Sequence, residues 1–328
     1  MTNVKDKLII RGNEIKNRLV MAPMVTFTLH GDNGSYYGTQ HVEHYTNRAK
    51  GGAGLIIIQA TGVLGTSVGT DKWTPDNIAV LKKIADSVHT YGSKVMMQLS
   101  CGDVDINDLA VDDMHSIQED MKQAAITACN IGYDGVEYHF AHGFTLCKFM
   151  DSYYNKRTDN YGGSIENRVR ILTEILEEVR KGTHEKFMIS VRMGAYTSNL
   201  EDGIQTAKYL EEREIDLLHV SFGMKMQEIE IPKDFICSPM TYSGTLIKKA
   251  IHIPVIVVYE IHTADQVNYL IENEHADLVA IGRGMLADEE FANHVLQDKP
   301  VNKCFNCGKS MSKCQWFVDH TKCPARKK

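Results

Sequence analysis

The chain lacks what would place it in a membrane or outside the cell. No apolar run approaches the ~18 residues that a membrane-spanning helix needs, and the opening Met1–Asp6 has no apolar signal core. A disulfide framework is missing as well. Of eight cysteines in 328 residues, four crowd into the last 25, and Cys101, Cys129, Cys147 and Cys237 are scattered like free thiols of a reducing compartment. The expected location is the cytoplasm. Lys and Arg number 36 against 42 Asp and Glu, a net charge of −6, so the basic surplus of a nucleic-acid binder is absent. Neither a membrane nor a nucleic acid is an expected partner. No residue-level repeat recurs, and no low-complexity linker divides the chain.

What does recur is a pattern. Short runs rich in Val, Ile, Leu and Met appear at Leu19–Ala22, Leu55–Ile58, Val95–Leu99, Gly135–Tyr138, Phe187–Val191, Leu217–Val220, Val255–Val258 and Leu278–Ile281. They are continuous rather than alternating, as in strands buried on both faces of a parallel sheet. Segments of helical period lie between them: Pro75–Val88, Asp120–Asn130, Ser164–Arg180, Gly203–Arg213, Thr263–Glu272 and Glu289–Leu296. Eight strands alternating with helices predict an α/β fold, a single (β/α)8 TIM barrel over residues 1–299. Residues 300–328 then form a short Cys/Lys-rich C-terminal tail lying on it. An open doubly wound sheet is disfavoured, because no G-x-G-x-x-G follows any run.

Active sites of such barrels lie at the C-terminal ends of the strands. The residues there are Pro23–Thr26, Gln59-Ala60, Gln98, His139 with His142, Arg192, and Gly282-Arg283. This set has no facing carboxylate pair for glycosidase chemistry, no convergence of His with carboxylates for a dinuclear hydrolase, and no interior Lys. Donors without a general base suit a bound electron-rich cofactor, and Gly282-Arg283 on the eighth strand suits a phosphate.

Five segments carry a resemblance beyond pattern. They are Lys16–Met24 (KNRLVMAPM), Lys50–Ile56 (KGGAGLI), Gly132–Gly143 (GYDGVEYHFAHG), Asn155–Ser164 (NKRTDNYGGS) and Ala276–Arg283 (ADLVAIGR). In this order the chain resembles the old yellow enzyme family of FMN-dependent ene-reductases and NAD(P)H:flavin oxidoreductases, from about Lys16 to Lys299. The resemblance implies FMN as cofactor, NAD(P)H as reductant and a small-molecule electron acceptor such as an enone, quinone or nitro compound. It also allows a homo-oligomer. It puts the backbone of Ala22, Pro23, Met24, Val25 and Ala60 along the flavin ring and Gln98 on the pyrimidine edge. Arg192 falls near N1 and C2=O, where negative charge builds on reduction, and Gly282 and Arg283 fall on the phosphate. His139 and His142 become the catalytic donors to the acceptor oxygen, with Phe27 and Phe144 also in the substrate site.

The chain departs from the family at several of these positions. Phe144 stands where the family carries a Tyr that protonates the substrate, and Phe27 replaces a second active-site Tyr. Tyr45 and Tyr153 are candidate substitutes. Tyr259-Glu260 replaces a Gly-rich phosphate-binding backbone, and Cys101 stands where a His is usual. The third loop, Cys101 to about Ser116, is short and opens the mouth. In the tail, Cys304, Cys307, Cys314 and Cys323 only partly match the C-x2-C-x3-C-x11-C of iron–sulfur relatives, because Met311 takes the third place. A cluster is not expected, and these four cysteines remain the candidates for any metal. Two rival readings stay open: a metal-dependent hydrolase using His139, His142 and His219, and a flavin-binding barrel with little turnover.

Overall fold

The computed structural model of the chain describes residues 2–65, 71–225, 227–307 and 314–326. A hairpin the sequence pattern did not indicate comes first, β1 (Leu8–Ile10) antiparallel to β2 (Asn13–Ile15). All eight apolar runs then form strands: β3 (Leu19–Met21), β4 (Leu55–Gly62), β5 (Lys94–Ser100), β6 (Gly135–Phe140), β7 (Met188–Gly194), β8 (Leu217–Ser221), β9 (Val255–Val257) and β10 (Leu278–Ile281). They pair in parallel in chain order, and β10 closes on β3 to complete the barrel.

Every barrel strand is buried on both faces, and the two faces do different work. Outward residues such as Met21, Ile56, Val95, Tyr138 and Val191 belong to the large core beneath the helices. Inward residues Val20, Leu55, Ile57, Met96, Met188, Leu217, Ile256 and Leu278 fill the barrel floor. Ile10 and Ile15 of the hairpin join that floor, so β1–β2 plug the N-terminal end of the barrel. Burying each such side chain stabilises the fold by about 1.5–3 kcal/mol. Towards the C-terminal ends the inward positions turn polar: Gln98, Glu137, His139, Ser190, Arg192, His219 and Ser221 are all buried. Because side chains alternate with period two, Glu137 and His139 share the inner face of β6, and His219 and Ser221 that of β8.

The helices expected from periodicity are present. α2 (Pro75–His89) begins with Pro at its first turn and Thr74 as cap, whose side chain accepts from Asn77 N. α5 (Ile165–Gly182) is capped by Ser164, which accepts from Asn167 N. α6 (Leu200–Glu212), α8 (Ala264–Glu272) and α10 (Phe291–Leu296) match within a few residues. α3 differs. It runs Val111–Asn130, beginning nine residues before the expected Asp120, because Met114, Ile117, Gln118 and Met121 already give it a buried stripe. The third loop is therefore shorter still. α1 (Thr39–Lys50) was not apparent from periodicity, since its buried face carries His41, His44 and Arg48. α4 (Thr145–Met150) and α9 (Arg283–Ala287) are too short to show a period, and α7 (Pro239–Lys248) is mainly small and polar on its buried face. None of these helices is long and apolar enough to cross a membrane.

Candidate active site

Strand register assembles one end of the mouth. Gln98, Glu137 and Ser190 are paired across β5–β7, and His139, Arg192 and His219 across β6–β8. The two rows interlock through hydrogen bonds. Gln98 Nε2 donates to Glu137 Oε1 at 2.7 Å, and His219 Nδ1 lies 2.8 Å from Glu137 Oε2. His139 Nε2 is 2.9 Å from His142 Nδ1, and His142 Nε2 is 2.9 Å from Ser221 Oγ. Arg192 Nη2 donates to the same hydroxyl at 3.2 Å. His142 reaches this position through a left-handed backbone, φ 63°, followed by Gly143 at φ 77°. Its N–H donates to Phe222 O. That turn folds the second imidazole back towards the first.

The electrostatics follow from burial. Burial and the nearby Arg192 cation lower the His139 pKa to about 3 and push His142 well below its usual value. Both imidazoles are neutral at physiological pH, so each offers a single N–H. Burial lowers Arg192 to about 10, with Glu137 opposing the shift, so its charge persists. Burial works against the Glu137 carboxylate, but His219, Arg192 and Gln98 outweigh it and hold the carboxyl below its ordinary range. A pairing of Arg192 with Glu201 or Asp202 does not occur: Asp202 receives both outer guanidinium nitrogens of Arg168, at 2.9 and 2.7 Å. Among the described residues, Arg192 Nε, His139 Nδ1 and His219 Nε2 are buried polar atoms without a hydrogen-bond partner.

The acceptor side is aromatic. Phe144 stacks 5.4 Å from His139 and is 41% exposed. Tyr45 is buried beneath the mouth, its hydroxyl oxygen accepting from Gln59 N at 2.9 Å, so it is burial that keeps its proton from a substrate. Tyr153 is 68% exposed at the rim, with the ammonium groups of Lys156 and Lys225 over its ring at 5.1 and 4.4 Å. Cys101 is buried, which raises its thiol pKa. At Gln59-Ala60 the register of β4 against β5 shifts, freeing backbone at the position the resemblance gives to the flavin ring. Thr26 N and Oγ1 both donate to Gln59 Oε1, at 2.8 and 2.5 Å. Beside these residues lies a hollow of about 440 Å³ lined by Val25, Thr26, Phe27, Tyr36 and Gln59 among others.

The tail reaches this edge. Trp316 Nε1 donates to Val25 O at 2.7 Å, and Phe27 packs against Trp316 and Phe317 at 5.9 and 5.3 Å. Arg326 pairs with Glu289, which also holds Arg48. Cys304 and Cys323 pack with Ala287 and Ala325. All eight cysteines are free thiols. Met311 lies outside the described residues. Among the described residues no group of three or more His, Cys, Asp or Glu is placed to hold a metal. The trio His139, His142 and His219 is no exception, since His219 turns to Glu137.

The far end of the mouth is built differently. Gly282 precedes α9, and the Arg283 guanidinium donates to Asn306 Oδ1 of the tail at 2.6 Å. Tyr259 and Glu260 keep the left-handed backbone that the Gly-rich family segment implies, at φ 105° and 53°. The Tyr259 carbonyl accepts from Ser238 Oγ and Thr241 Oγ1 at 3.3 and 3.0 Å, and the Glu260 carbonyl from Gln266 Nε2 at 3.4 Å. His262, whose two ring nitrogens are buried without partners, lies within the field of Arg283 and Lys303. A fixed cation with an unpartnered nitrogen at one end and an Arg–His–Lys cluster at the other fit the charge pattern of FMN, pyrimidine edge to phosphate. The structure brings together His139, His142, Gln98 and Arg192, all of them expected at strand ends from the sequence. Glu137, Ser221 and Trp316 were not marked there. The i, i+2 spacing of Glu137 and His139 was the available signal for Glu137; nothing in the sequence marks Trp316.

Comparison with known proteins shows the family and the fold. Residues 8–108 and 102–302 match the NADH:flavin oxidoreductase / NADH oxidase family. The chain is 32% identical over 332 residues to an NADH oxidase of Thermoanaerobacter brockii, covering 89% of this chain and 51% of that protein, so it spans about half of that relative's length. It is 31% identical over 307 residues to an NADPH dehydrogenase of Bacillus velezensis, covering 85% of this chain and 89% of the relative. The solved structure of the old yellow enzyme homologue of Zymomonas mobilis shares the fold, with a TM-score of 0.73 at 22% identity over 92% of this chain and 94% of the other. The chain belongs to the NADH:flavin oxidoreductase / NADH oxidase family, FMN-dependent oxidoreductases built on the old yellow enzyme barrel.

Proposed function

We propose that the chain passes reducing equivalents from NADH or NADPH to an activated small-molecule acceptor: an enone, a quinone or a nitro compound. Bound FMN supplies the hydride carrier between the two half-reactions. The observation that carries this reading is the buried His139–His142–Ser221–Arg192 constellation at the strand ends. Arg192 and Gln98 hold the pyrimidine end of the flavin, and Arg283 with the Gly282 backbone holds the phosphate. An acceptor oxygen that reaches the junction of the two imidazoles replaces their mutual hydrogen bond, in which one facing nitrogen carries the proton. That imidazole donates to the oxygen directly, and the other donates in the tautomer that moves its single proton from its far nitrogen to the facing one. Neutral imidazoles polarise the oxygen without surrendering a proton.

Phe144 shapes the acceptor preference. It packs on His139 and has no proton to give, so alkene reduction depends on water. Quinone and nitro acceptors, which draw their protons on oxygen or nitrogen, are less affected. The test is anaerobic reduction of the purified protein by NADH and by NADPH, followed by reoxidation with cyclic enones, quinones and nitroarenes. Bleaching and recovery of the flavin band is expected, with quinones the fastest oxidants; a flavin that neither nucleotide reduces would reject the reading. In the same assay His139→Ala/His142→Ala should leave reduction largely intact and weaken phenol binding by about 1–3 kcal/mol per lost donor.

A further inference from the structure

Glu137 is a buried acidic group in the mouth that neither the acceptor site nor the phosphate site uses. It is wholly inaccessible, as is its partner His219, and it sits one inward position below His139 on β6. Its contacts are specific: Gln98 Nε2 on one oxygen and His219 Nδ1 on the other. The charged and polar groups around it are Gln98 from β5, Ser190 and Arg192 from β7 and His219 from β8, with His139 on its own strand.

We propose that Glu137 is a positioning residue for the flavin site: it fixes which end of the Gln98 amide faces the mouth, and its charge offsets that of Arg192. The proposal rests on the reading of this mouth as an FMN site. A carboxylate can only accept, so the amide nitrogen of Gln98 must be the end that meets it. The amide oxygen is left for the mouth, where it complements the imide N–H of a flavin pyrimidine edge. An amide without such a partner can turn over and present either end.

The charge of Glu137 acts independently of the amide. Burial, reinforced by Arg192, keeps His219 neutral despite its contact with Glu137. The imidazole therefore donates Nδ1–H without adding charge. Among the described residues, Glu137 is then the only full negative charge in the buried deck opposite Arg192. At this depth the screening by water is weak, so the two charges largely cancel at the flavin. Arg192 alone would favour the reduced, more negative flavin strongly and make it a poor hydride donor. With Glu137 in place the cation can bind the pyrimidine end while the flavin remains reducing enough to act on weak acceptors.

The experiment measures the midpoint potential of bound FMN, and the affinity for oxidised FMN, in the parent protein, Glu137→Gln and Glu137→Asp. Glu137→Gln keeps size and removes charge. It should bind reduced FMN about tenfold tighter relative to oxidised FMN, which for a two-electron couple is about 30 mV upward; Glu137→Asp should return most of the shift. His219→Leu strips one donor from the carboxylate and disfavours its charge, so its potential should rise by less. It serves as the second variant if Glu137→Gln does not fold. A purely structural Glu137 would weaken both redox states equally and leave the potential unmoved. An unchanged or lowered potential in Glu137→Gln, or in His219→Leu where only that variant folds, overturns the proposal. Failure of the parent protein to retain FMN instead overturns the cofactor reading on which it rests.

Discussion

The two ends of the mouth use different parts of the chain. On the β5–β8 side, the mouth is lined by side chains on strand interiors: Gln98, Glu137, His139, Arg192 and His219 are all buried and tied by hydrogen bonds of 2.7–3.2 Å. On the β9–β10 side, backbone does the shaping. Tyr259 and Glu260 lie in left-handed conformations just past a three-residue strand, and the nearby cation Arg283 is engaged with the tail. A side-chain end is set by what each residue is. A backbone end is set by what conformation the chain can hold, and it tolerates Tyr and Glu at some cost in strain.

Breaking the first end should have the largest effect. Arg192→Met removes the cation whose field helps hold the buried Glu137 carboxylate. Arg192 bonds to Ser221 rather than to Glu137, so the loss should lie below the about 3–5 kcal/mol of a broken buried ion pair. Urea denaturation of the variant should show that loss, together with much weaker FMN binding in a titration. Retention of both stability and FMN affinity would remove Arg192 from the account.

Acid should discriminate between the ends next. The folded pKa values of His139 and His142 are depressed, whereas an unfolded histidine titrates near 6.5. Above that value neither state binds the protons and the two histidines do not alter stability. Below it the unfolded chain gains them and the folded chain does not, so stability falls as pH drops from 6.5 towards the folded values, by up to about 1.4 kcal/mol per pH unit for each histidine. Denaturant midpoints of the flavin-free protein between pH 7 and 5 should fall in this way, and His139→Ala/His142→Ala should reduce the slope to the share left by His219 and His262, whose pKa values burial also lowers.

The smallest effect is expected at the backbone end. Tyr259→Gly removes the strain of a bulky residue at φ 105° and should raise stability by about 1 kcal/mol. The sign separates the two kinds of site. His142 also has a positive φ, but His142→Gly loses its bonds to His139 and Ser221 and should weaken acceptor binding. A destabilised Tyr259→Gly would mean that the ring contributes packing that outweighs the strain.

The same contrast explains what could be read from the sequence. The eight strands were legible because burial on both faces writes continuous apolar runs, and the His139, Arg192 and Gln98 positions followed because strand ends carry the site in this fold. The β1–β2 hairpin was not legible: Leu8–Ile10 and Asn13–Ile15 are three residues each, too short for a period. α1 was hidden because His41, His44 and Arg48 are buried through partners rather than apolar character. The Glu137–His219 pair needed register, which joins β6 to β8 through β7 and leaves no mark in local sequence. The contact of Trp316 with Val25 spans 291 positions, and only the folded chain brings them together.

The central claim is that this mouth holds FMN, with the ring over Gln98 and Arg192 and the phosphate at Arg283. The most direct test is the flavin content and visible spectrum of the purified protein, with added FMN supplied to any flavin-free fraction. The account predicts a yellow protein with about one FMN per chain, as expected for one cofactor per barrel. A colourless protein that takes up no added FMN would contradict it.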